Sequence, residues 1–228
     1  MLQVLLIHGF TSHPTKVWGP LPELLRREGY KIFTPTLSGH GGEPEDMATV
    51  KAGDWLQDVR RAAGELQPGF AVVGLSMGSL LAAFVAAENE VSALVAAVPA
   101  LAFSNPLAPL APYLSWLLPK MPGAASIRDQ ELRKQNPNYP YFPTRSFVEL
   151  LRLSRQTPTK LPAVRAPALV LGASHDKVIP AGALRRYYQL LGSAEKELLF
   201  IEGSGHDVFL DARAEEASAR VISWLRRY

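Results

Sequence analysis

The chain has 228 residues, 47% of them hydrophobic and 20% charged, which is enough for one α/β domain with an insertion. Its net charge is +3 and its arginines lie in separated pairs, so we expect no nucleic-acid surface, and the absence of cysteine excludes disulfides, thiolate metal sites and a cysteine nucleophile. No apolar run approaches the roughly 18 residues of a membrane span, and the N-terminus does not resemble a signal peptide, so we expect a cytoplasmic protein without an integral membrane segment.

Short apolar runs alternate with amphipathic stretches along the chain, a pattern that indicates strands separated by helices. The predicted strands are 2–7, 30–34, 70–73, 92–98, 167–172 and 197–201. The predicted helices between and after them are 20–28, 54–66, 80–88, 183–191 and 215–228. This alternation predicts an open α/β structure, a six-stranded and mostly parallel sheet with helices on both faces.

Residues 101–160 interrupt the alternation. The stretch 100–160 holds nine of the 19 prolines and a single glycine, Gly123. Within it, 109–118 and 144–156 still have the spacing of helices. A change of composition inside a regular alternation marks an insertion. The predicted organisation is therefore a core of 1–100 and 161–228 with a small helical insertion at 101–160.

The segment Gly74-Leu75-Ser76-Met77-Gly78 is a G-x-S-x-G motif between a predicted strand and a predicted helix. In this context the serine lies at a sharp turn, with its hydroxyl at the positive end of the following helix. The glycines allow strand and helix to approach without side-chain clashes. Alternatively, Ser76 only caps the helix.

Two other predicted strand ends carry the residues that would complete a catalytic triad. Asp176 follows the fifth strand and His206 follows the sixth, and Ser-acid-His is the chain order of an α/β-hydrolase. We therefore expect Ser76 to be the nucleophile, His206 its base, and Asp176 the group that orients the imidazole. Taken alone, His206 is also compatible with an ordinary loop histidine and Asp176 with a turn residue. Asp207 is less suited as the acid, because neighbouring residues rarely face each other at a site.

The end of the first predicted strand, His8-Gly9-Phe10-Thr11, completes the expected site. The N–H groups of Phe10 and Met77 are the expected oxyanion donors. We expect His8 to be structural, and His40 either to fix its own loop or to touch the substrate. The histidines have no acidic partners at ligand spacing, and no phosphate or dinucleotide motif occurs, so neither a metal nor a cofactor is expected.

Six motifs spread over nearly the whole chain, outside the insertion, suggest a family. They are His8-Gly9-Phe10-Thr11, Leu37-Ser38-Gly39-His40-Gly41, Asp54-Trp55 with Asp58, Gly74 to Gly78, His175-Asp176 with Val178-Ile179-Pro180, and Ser204-Gly205-His206. In these motifs the sequence resembles small bacterial carboxylesterases and monoacylglycerol lipases of the α/β-hydrolase fold. The resemblance implies the same triad, the same oxyanion donors, and an insertion that caps an acyl pocket.

Two departures from the family pattern affect the expected packing and size. Ser79 stands where these enzymes often have a second glycine, so the packing of the helix after the motif is expected to differ. The chain begins at what is usually the third strand, which implies a reduced sheet of six strands.

Substrate choice is expected to depend on the insertion. Its apolar side chains either line an acyl pocket or seal the insertion onto the core; the candidates are Tyr113, Trp116, Phe147 and Leu150, with Leu114 and Leu117 beside them. Trp18, which follows the expected oxyanion loop, is a further candidate for the pocket wall. The first hypothesis is a serine carboxylesterase, a monomer or weak dimer, acting on small short- to medium-chain acyl esters, with monoacylglycerols among the candidates. The alternatives are a triad that acts on thioesters or on the carbon–carbon bond of a diketone, and a non-catalytic binding protein on the same fold.

Overall fold

The computed structural model describes residues 2–124 and 126–228. In these residues the strands are β1 (Gln3–Ile7), β2 (Lys31–Phe33), β3 (Phe70–Leu75), β4 (Val91–Ala97), β5 (Lys120–Pro122), β6 (Tyr141–Pro143), β7 (Ala168–Ala173) and β8 (Lys196–Ile201). Six of the described strands form one sheet of parallel neighbours, in the order β2-β1-β3-β4-β7-β8. The strands β5 and β6 form a separate antiparallel pair. The predicted six-stranded sheet is confirmed.

The described helices cover both faces of this sheet. They are α1 (Leu21–Arg27), α2 (Ala52–Gly64), α3 (Met77–Glu88), α4 (Ala111–Leu114), α5 (Gln130–Lys134), α6 (Thr144–Gln156), α7 (Ala181–Leu190) and α8 (Ala214–Leu225). Side chains alternate along each strand, so Val4 and Leu6 pack with α1 and α8, while Leu5 and Ile7 pack with α2 and α3 on the other face. Because both faces are covered, β1 reads in the sequence as a continuous apolar run.

The order of the strands reverses at β1. The chain places β2 on one side of β1 and then returns to place β3 on the other, where Leu5 and Leu6 pair with Val72 and Val73. Open parallel sheets bind ligands at the carboxyl ends of the strands next to such a reversal. The loop after β1 and the turn at Ser76 after β3 both lie at that place, so the fold itself brings them together.

The described residues of 101–160 contain α4, α5, α6 and the β5–β6 pair. The helix α6 carries them onto the core: Phe147, Leu150 and Leu151 are buried, and the helix packs against α2 and α3. Several large apolar side chains on α4 and beside it are exposed, namely Leu107, Leu110, Tyr113, Trp116, Leu117 and Leu118, whereas Ala108 and Ala111 are buried. None of the helices in the described residues has the length and apolar character needed to cross a membrane.

The structure shortens one predicted helix and adds elements that the sequence did not predict. Instead of a helix over 109–118 there is a 3-10 turn, Ala108–Leu110, followed by the single turn of α4. Pro112 accounts for the interruption, since proline has no N–H and clashes with the preceding turn of a helix. The β5–β6 pair and α5 were not predicted, because strands of three residues and a helix of five carry too little periodicity to be recognised.

The core elements are present with ends that differ by a few residues. The clearest difference is at α2, which begins at Ala52 rather than at Asp54, where the sequence predicts its start. The Asp54 carboxylate lies inside the first turn and accepts a hydrogen bond from the Lys51 N–H (2.8 Å). Asp54 therefore stabilises the start of α2 from within its first turn.

Candidate active site

Ser76 occupies a sharp turn between β3 and α3. Its φ of 55° and ψ of −112° lie outside the conformations that residues with side chains normally adopt. The helix α3 begins at the next residue, so Ser76 stands at the N-terminal end of a helix. This is the strand, strained turn and helix that give a G-x-S-x-G motif its chemical meaning.

Two glycines make this turn possible. A Cβ atom at Gly74 would lie 2.3 Å from the carbonyl oxygen of Gly78, and one at Gly78 would lie 1.9 Å from the carbonyl oxygen of Ile7. Both neighbours are backbone atoms, so neither position has room for a side chain. The close approach at Gly78 brings the start of α3 against the end of β1.

Ser79 fits into the start of α3 without an unpaired hydroxyl. Its buried Oγ lies 2.8 Å from the carbonyl oxygens of both Gly74 and Ala97, so that its hydrogen bond is shared between them. The hydroxyl of Tyr187 in turn donates to the carbonyl oxygen of Ser79 (2.9 Å). The serine that departs from the family pattern thus ties α3 to β3 and β4, the strands that carry the turn.

His206 joins Ser76 to Asp176. Its Nε2 lies 2.9 Å from Ser76 Oγ, and its Nδ1 lies 2.8 Å from Asp176 Oδ2. The other carboxylate oxygen of Asp176 accepts hydrogen bonds from the N–H groups of Val178 (2.8 Å) and Ile179 (2.9 Å). When Nδ1–H donates to Asp176, Nε2 has a free lone pair directed at the serine hydroxyl. The structure brings together the three side chains that the sequence predicts as a triad.

The electrostatics of this group favour a charged imidazole. Burial by itself lowers the pKa of His206, but the charge and hydrogen bond of Asp176, and then the charge of Asp207, raise it above its ordinary value. Burial raises the pKa of Asp176, and the charge and hydrogen bond of His206, with the two backbone N–H groups, outweigh that effect and lower it. The two shifts have the same physical source, which is a carboxylate that stabilises an imidazolium beside it.

Two unpaired backbone N–H groups belong to the residues next to Ser76. Gly9 packs directly on the turn, since a Cβ there would lie 3.4 Å from Ser76 Cβ. The N–H of Phe10, the next residue, and the N–H of Met77, the first of α3, donate no hydrogen bond to any group in residues 2–124 and 126–228. An oxyanion hole consists of such a pair of donors beside a nucleophile.

His8 stabilises the loop that carries Gly9 and Phe10. It is fully buried, its Nε2 accepts a hydrogen bond from the Leu37 N–H (3.2 Å), and its Nδ1 donates to the carbonyl oxygen of Gly9 (2.9 Å). Burial, and then the nearby His40, lower the pKa of His8 well below its ordinary range. His8 is therefore neutral and structural, as the sequence suggested.

His40 lies beside His8, outside the cavity that contains Ser76. Burial lowers the pKa of His40 to about 4, and its ring meets that of His8 edge to face at 4.7 Å. Its loop is fixed by the Asp58 carboxylate, which accepts from the Ser38 N–H (2.6 Å) and hydroxyl (2.7 Å), and by Trp55 Nε1, which donates to the Ser38 carbonyl oxygen (3.0 Å). Of the two sequence readings, His40 as a loop residue agrees with this placement.

A cavity of about 340 Å³ opens beside Ser76 and His206. Its volume is at the low end of the roughly 300–1,000 Å³ found for small-molecule sites. Most of its lining is apolar and includes Phe10, Phe103, Met121, Phe142, Phe147 and Leu150. A second, polar group on its wall consists of Ser126, Asn138 and Asp207. The cavity therefore has an apolar surface that can contact a hydrocarbon chain and a polar surface that can form hydrogen bonds.

The residues that form this site all lie within the range matched by one family model. The family model described as serine aminopeptidase, S33, a hydrolase family, matches residues 2–213, which include Ser76, Asp176 and His206. The chain belongs to this S33 hydrolase family. The matched range also includes residues 101–160.

Individual relatives of this S33 hydrolase are esterases and lipases. A thermostable monoacylglycerol lipase from Bacillus sp. (strain H-257) is 33% identical over 218 residues, which cover 91% of this chain and 84% of the lipase. A carboxylesterase from Bacillus subtilis (strain 168) is 24% identical and covers 98% of this chain and 92% of its own. A solved structure from LipS and LipT, two metagenome-derived lipolytic enzymes, is 30% identical, with a TM-score of 0.91 over 100% of this chain and 94% of that one. The predicted α/β-hydrolase fold and the prediction of a serine hydrolase for esters are confirmed.

One of the predicted substrate-binding residues of this S33 hydrolase lies on the wrong face of the sheet. Trp18 is fully buried in the layer of α1 and α8, where it packs on Phe209. Its Nε1–H donates to the carbonyl oxygen of Pro14 (3.0 Å). The expectation that Trp18 walls the pocket is therefore wrong: proximity to the Phe10 loop in sequence does not show on which side of the sheet the chain continues.

The predicted cap residues divide into two groups. Phe147 and Leu150, on α6, line the cavity. Tyr113 and Trp116 are 74% and 78% exposed and do not line the described cavity, so the expectation that they wall it is wrong.

Sequence reasoning missed the polar group of the cavity wall. Asp207 is hydrogen bonded to Ser126 and Asn138, which lie 81 and 69 residues away along the chain. No local spacing indicates a contact over such separations. In the described residues, no three His, Asp or Glu side chains are arranged so that they could hold a metal ion.

Proposed function

We propose that this chain is a serine carboxylesterase that hydrolyses short- to medium-chain acyl esters, with monoacylglycerols among its substrates, through an acyl-enzyme. The observation that carries the proposal is the hydrogen-bonded series Ser76–His206–Asp176, which opens on a mostly apolar cavity. We assign Ser76 as nucleophile, His206 as general base and acid, and Asp176 as the group that orients His206. No cofactor takes part in this chemistry.

Acylation starts at the Ser76 hydroxyl. As Oγ attacks the ester carbonyl carbon, its proton passes to His206 Nε2, which lies 2.9 Å away. The carbonyl oxygen becomes an oxyanion that accepts hydrogen bonds from the N–H groups of Phe10 and Met77. The imidazolium, stabilised by Asp176, then gives its proton to the alcohol oxygen as the carbon–oxygen bond breaks. The alcohol leaves and the acyl group stays on Ser76.

Deacylation repeats these steps with water. A water molecule takes the place of the alcohol, loses a proton to His206 Nε2 and attacks the acyl carbon. The same two N–H groups hold the second oxyanion, and the proton on His206 returns to Ser76 Oγ as the carboxylic acid is released. Both half-reactions therefore use one proton carrier and one oxyanion site.

Residues 101–160 act in this proposal as a cap over the acyl group. They supply Phe103, Met121, Phe142, Phe147 and Leu150 to the cavity wall. Phe142 and Phe147 also contact the ring of Phe10, the residue that provides one oxyanion donor. The aromatic surface thus begins where the acyl carbon is held, and the limited volume of about 340 Å³ favours short and medium chains over long ones.

We also propose a cytoplasmic monomer or weak dimer that does not bind nucleic acid. Several arginines of the separated pairs are engaged with acids: Arg60 pairs with Glu88, Arg226 with Glu28, and Arg227 with Glu195 and Glu197. Paired and separated arginines provide no continuous basic surface. Light scattering coupled to gel filtration tests the oligomeric state. A salt-dependent mobility shift of duplex DNA in the presence of the protein would contradict the proposal that it does not bind nucleic acid.

The test of the esterase function is hydrolysis of p-nitrophenyl esters from acetate to palmitate, with Ser76→Ala in parallel and acyl-CoA thioesters as competing substrates. We expect kcat/KM to peak at a short or medium chain, to be lost in Ser76→Ala, and to exceed that for the thioester of the same acid. A higher kcat/KM for the thioesters would replace the proposal by the thioesterase alternative. No turnover of any substrate by the folded protein would support a binding role.

A further inference from the structure

Asp207, the residue after His206, is a buried carboxylate that the steps above do not use. Its Oδ2 accepts hydrogen bonds from the Ser126 hydroxyl and from Asn138 Nδ2, the latter at 2.9 Å. Only 3% of the residue is exposed, and burial raises the pKa of its carboxyl. A carboxylate in such a place is costly unless its charge is compensated or used. The position therefore calls for an explanation beyond packing.

The insertion fixes this carboxylate in place. Ser126 and Asn138 both belong to residues 101–160, whereas Asp207 belongs to the core. Asn138 also reaches the loop after β1, because its Oδ1 accepts a hydrogen bond from the His13 N–H (3.2 Å). Its side chain thus contacts both loops of the site: the loop after β1, which carries Phe10, and the loop that carries His206 and Asp207.

The fixed carboxylate belongs to the wall of the cavity that contains Ser76 and His206. Two protein donors occupy its Oδ2, while its Oδ1 accepts none from the side chains and backbone of residues 2–124 and 126–228. A carboxylate oxygen accepts hydrogen bonds and does not donate them. The group that complements it in the cavity is a hydrogen-bond donor.

In the reaction proposed above, the alcohol half of the ester is the half whose oxygen must reach His206. The leaving oxygen receives its proton from His206 Nε2, so it must come within hydrogen-bond distance of that atom. Asp207 follows His206 directly, and the aromatic side chains of Phe10, Phe142 and Phe147 provide an apolar surface for the acyl chain. The alcohol half of the substrate is therefore near polar side chains, and the acyl half is near apolar ones.

Building on the carboxylesterase function proposed above, we propose that Asp207 is a specificity-determining residue whose carboxylate accepts a hydrogen bond from a donor on the alcohol half of the ester. A hydroxyl or an ammonium group close to the ester oxygen has this chemistry. Lys177 also lines the cavity and repels a cation, so hydroxyl donors are the expected preference.

Three octanoate esters test the inference on the wild-type enzyme. In 1-monooctanoylglycerol the alcohol half carries hydroxyl donors, in 2,3-dimethoxypropyl octanoate the same oxygens are methylated, and in 2-(dimethylamino)ethyl octanoate the donor is a cation at pH 7. We expect kcat/KM to be about tenfold or more higher for the glycerol ester than for its dimethyl ether, because a site built around a hydrogen bond discriminates strongly against a ligand that lacks it.

The variant Asp207→Asn tests the residue itself. It removes the charge at nearly constant volume, and we expect the preference for the glycerol ester over its dimethyl ether to fall about tenfold. Asp211→Asn is the matched control: this buried carboxylate in the same loop accepts from the backbone N–H groups of Gly205 (2.7 Å) and Arg128 (2.7 Å). We expect the control to lower kcat/KM for all three esters by a common factor.

Each outcome separates this inference from the esterase function. Equal kcat/KM of the wild type for the glycerol ester and its dimethyl ether, or an equal loss on all three esters in Asp207→Asn, overturns the inference and leaves the esterase in place. A preference for the ammonium ester supports donor recognition and identifies a cation as the donor. No hydrolysis of any of the three by the folded wild type overturns the proposed function, and the inference with it. The wild-type comparison decides even when Asp207→Asn does not fold.

Discussion

The Asp176 carboxylate and the His206 imidazole form a buried 2.8 Å hydrogen bond on the side of the ring opposite Ser76. This bond keeps the proton on Nδ1 and leaves Nε2 free for the serine. Asp176→Asn keeps the shape of the site but favours the wrong tautomer. We therefore predict that kcat for a p-nitrophenyl ester falls by about 10⁴-fold, with a much smaller change in KM.

The control for this variant is Asp129→Asn, which changes a carboxylate that caps α5 in the insertion. We expect it to leave kcat within about twofold, since surface substitutions rarely disturb a distant site. If Asp176→Asn retained more than about a tenth of the activity while folded, another group would have to orient His206.

The pH profile follows from the charges around His206. Burial lowers its pKa, but Asp176 and then Asp207 more than compensate and raise it. Only neutral imidazole accepts the serine proton, so kcat/KM is low when His206 is protonated and rises as the pH passes its pKa. The midpoint of the rise is predicted to lie above pH 6.5, the ordinary value of histidine.

Rates between pH 5 and 9 at constant ionic strength check this prediction. Asp207→Asn removes one of the charges that raise the pKa and is expected to move the midpoint to lower pH. A wild-type midpoint at or below 6.5, or one that Asp207→Asn shifts upward, would contradict the account of the site's electrostatics.

The elbow glycine Gly78 is predicted to be intolerant of any side chain. A Cβ there would lie 1.9 Å from the Ile7 carbonyl oxygen, a backbone atom that cannot yield without moving β1. We expect Gly78→Ala to lower the free energy of unfolding by about 3 kcal/mol. In the control Gly182→Ala the added methyl meets nothing within 4 Å in the first turn of α7, and a gain of about 0.5–1 kcal/mol is expected. Urea titrations decide, and equal stabilities of the two variants would rule out the packing described at the turn.

The cap residue Phe147 is predicted to limit the length of the acyl chain. It lines the cavity and packs on Phe10 and Phe142, so Phe147→Ala enlarges the space for hydrocarbon. We expect the peak of kcat/KM to move to longer p-nitrophenyl esters, at a stability cost of about 3 kcal/mol. Trp116→Ala removes an aromatic side chain that is exposed, and its chain-length profile should match the wild type. A shift in Trp116→Ala but not in Phe147→Ala would place the acyl chain elsewhere.

Much of the core and of the triad could be predicted because each part depends on a local pattern. The G-x-S-x-G motif, the apolar strand before it and the helix after it are contiguous, and Asp176 and His206 each lie in the loop after a strand of their own. The parallel sheet then brings these segments together, because the carboxyl ends of its strands lie at one edge.

The internal structure of residues 101–160 and the polar wall of the cavity could not be predicted, for the opposite reason. The strands β5 and β6 have three residues each, and Asp207 meets its partners across 69 and 81 residues of chain. Trp18 shows a second limit: its apolar character indicates burial, but both faces of the sheet are buried here and the sequence does not choose between them.

The most direct test of the central claim is to label the protein with a fluorophosphonate and to locate the modified residue by peptide mass spectrometry. The strained turn, the 2.9 Å contact with His206 and the backbone N–H groups of Phe10 and Met77, which have no acceptor among residues 2–124 and 126–228, together predict one label per chain, on Ser76, and none in Ser76→Ala. A label on a different serine, or none on the folded wild-type protein, would contradict the assignment of Ser76 as the nucleophile.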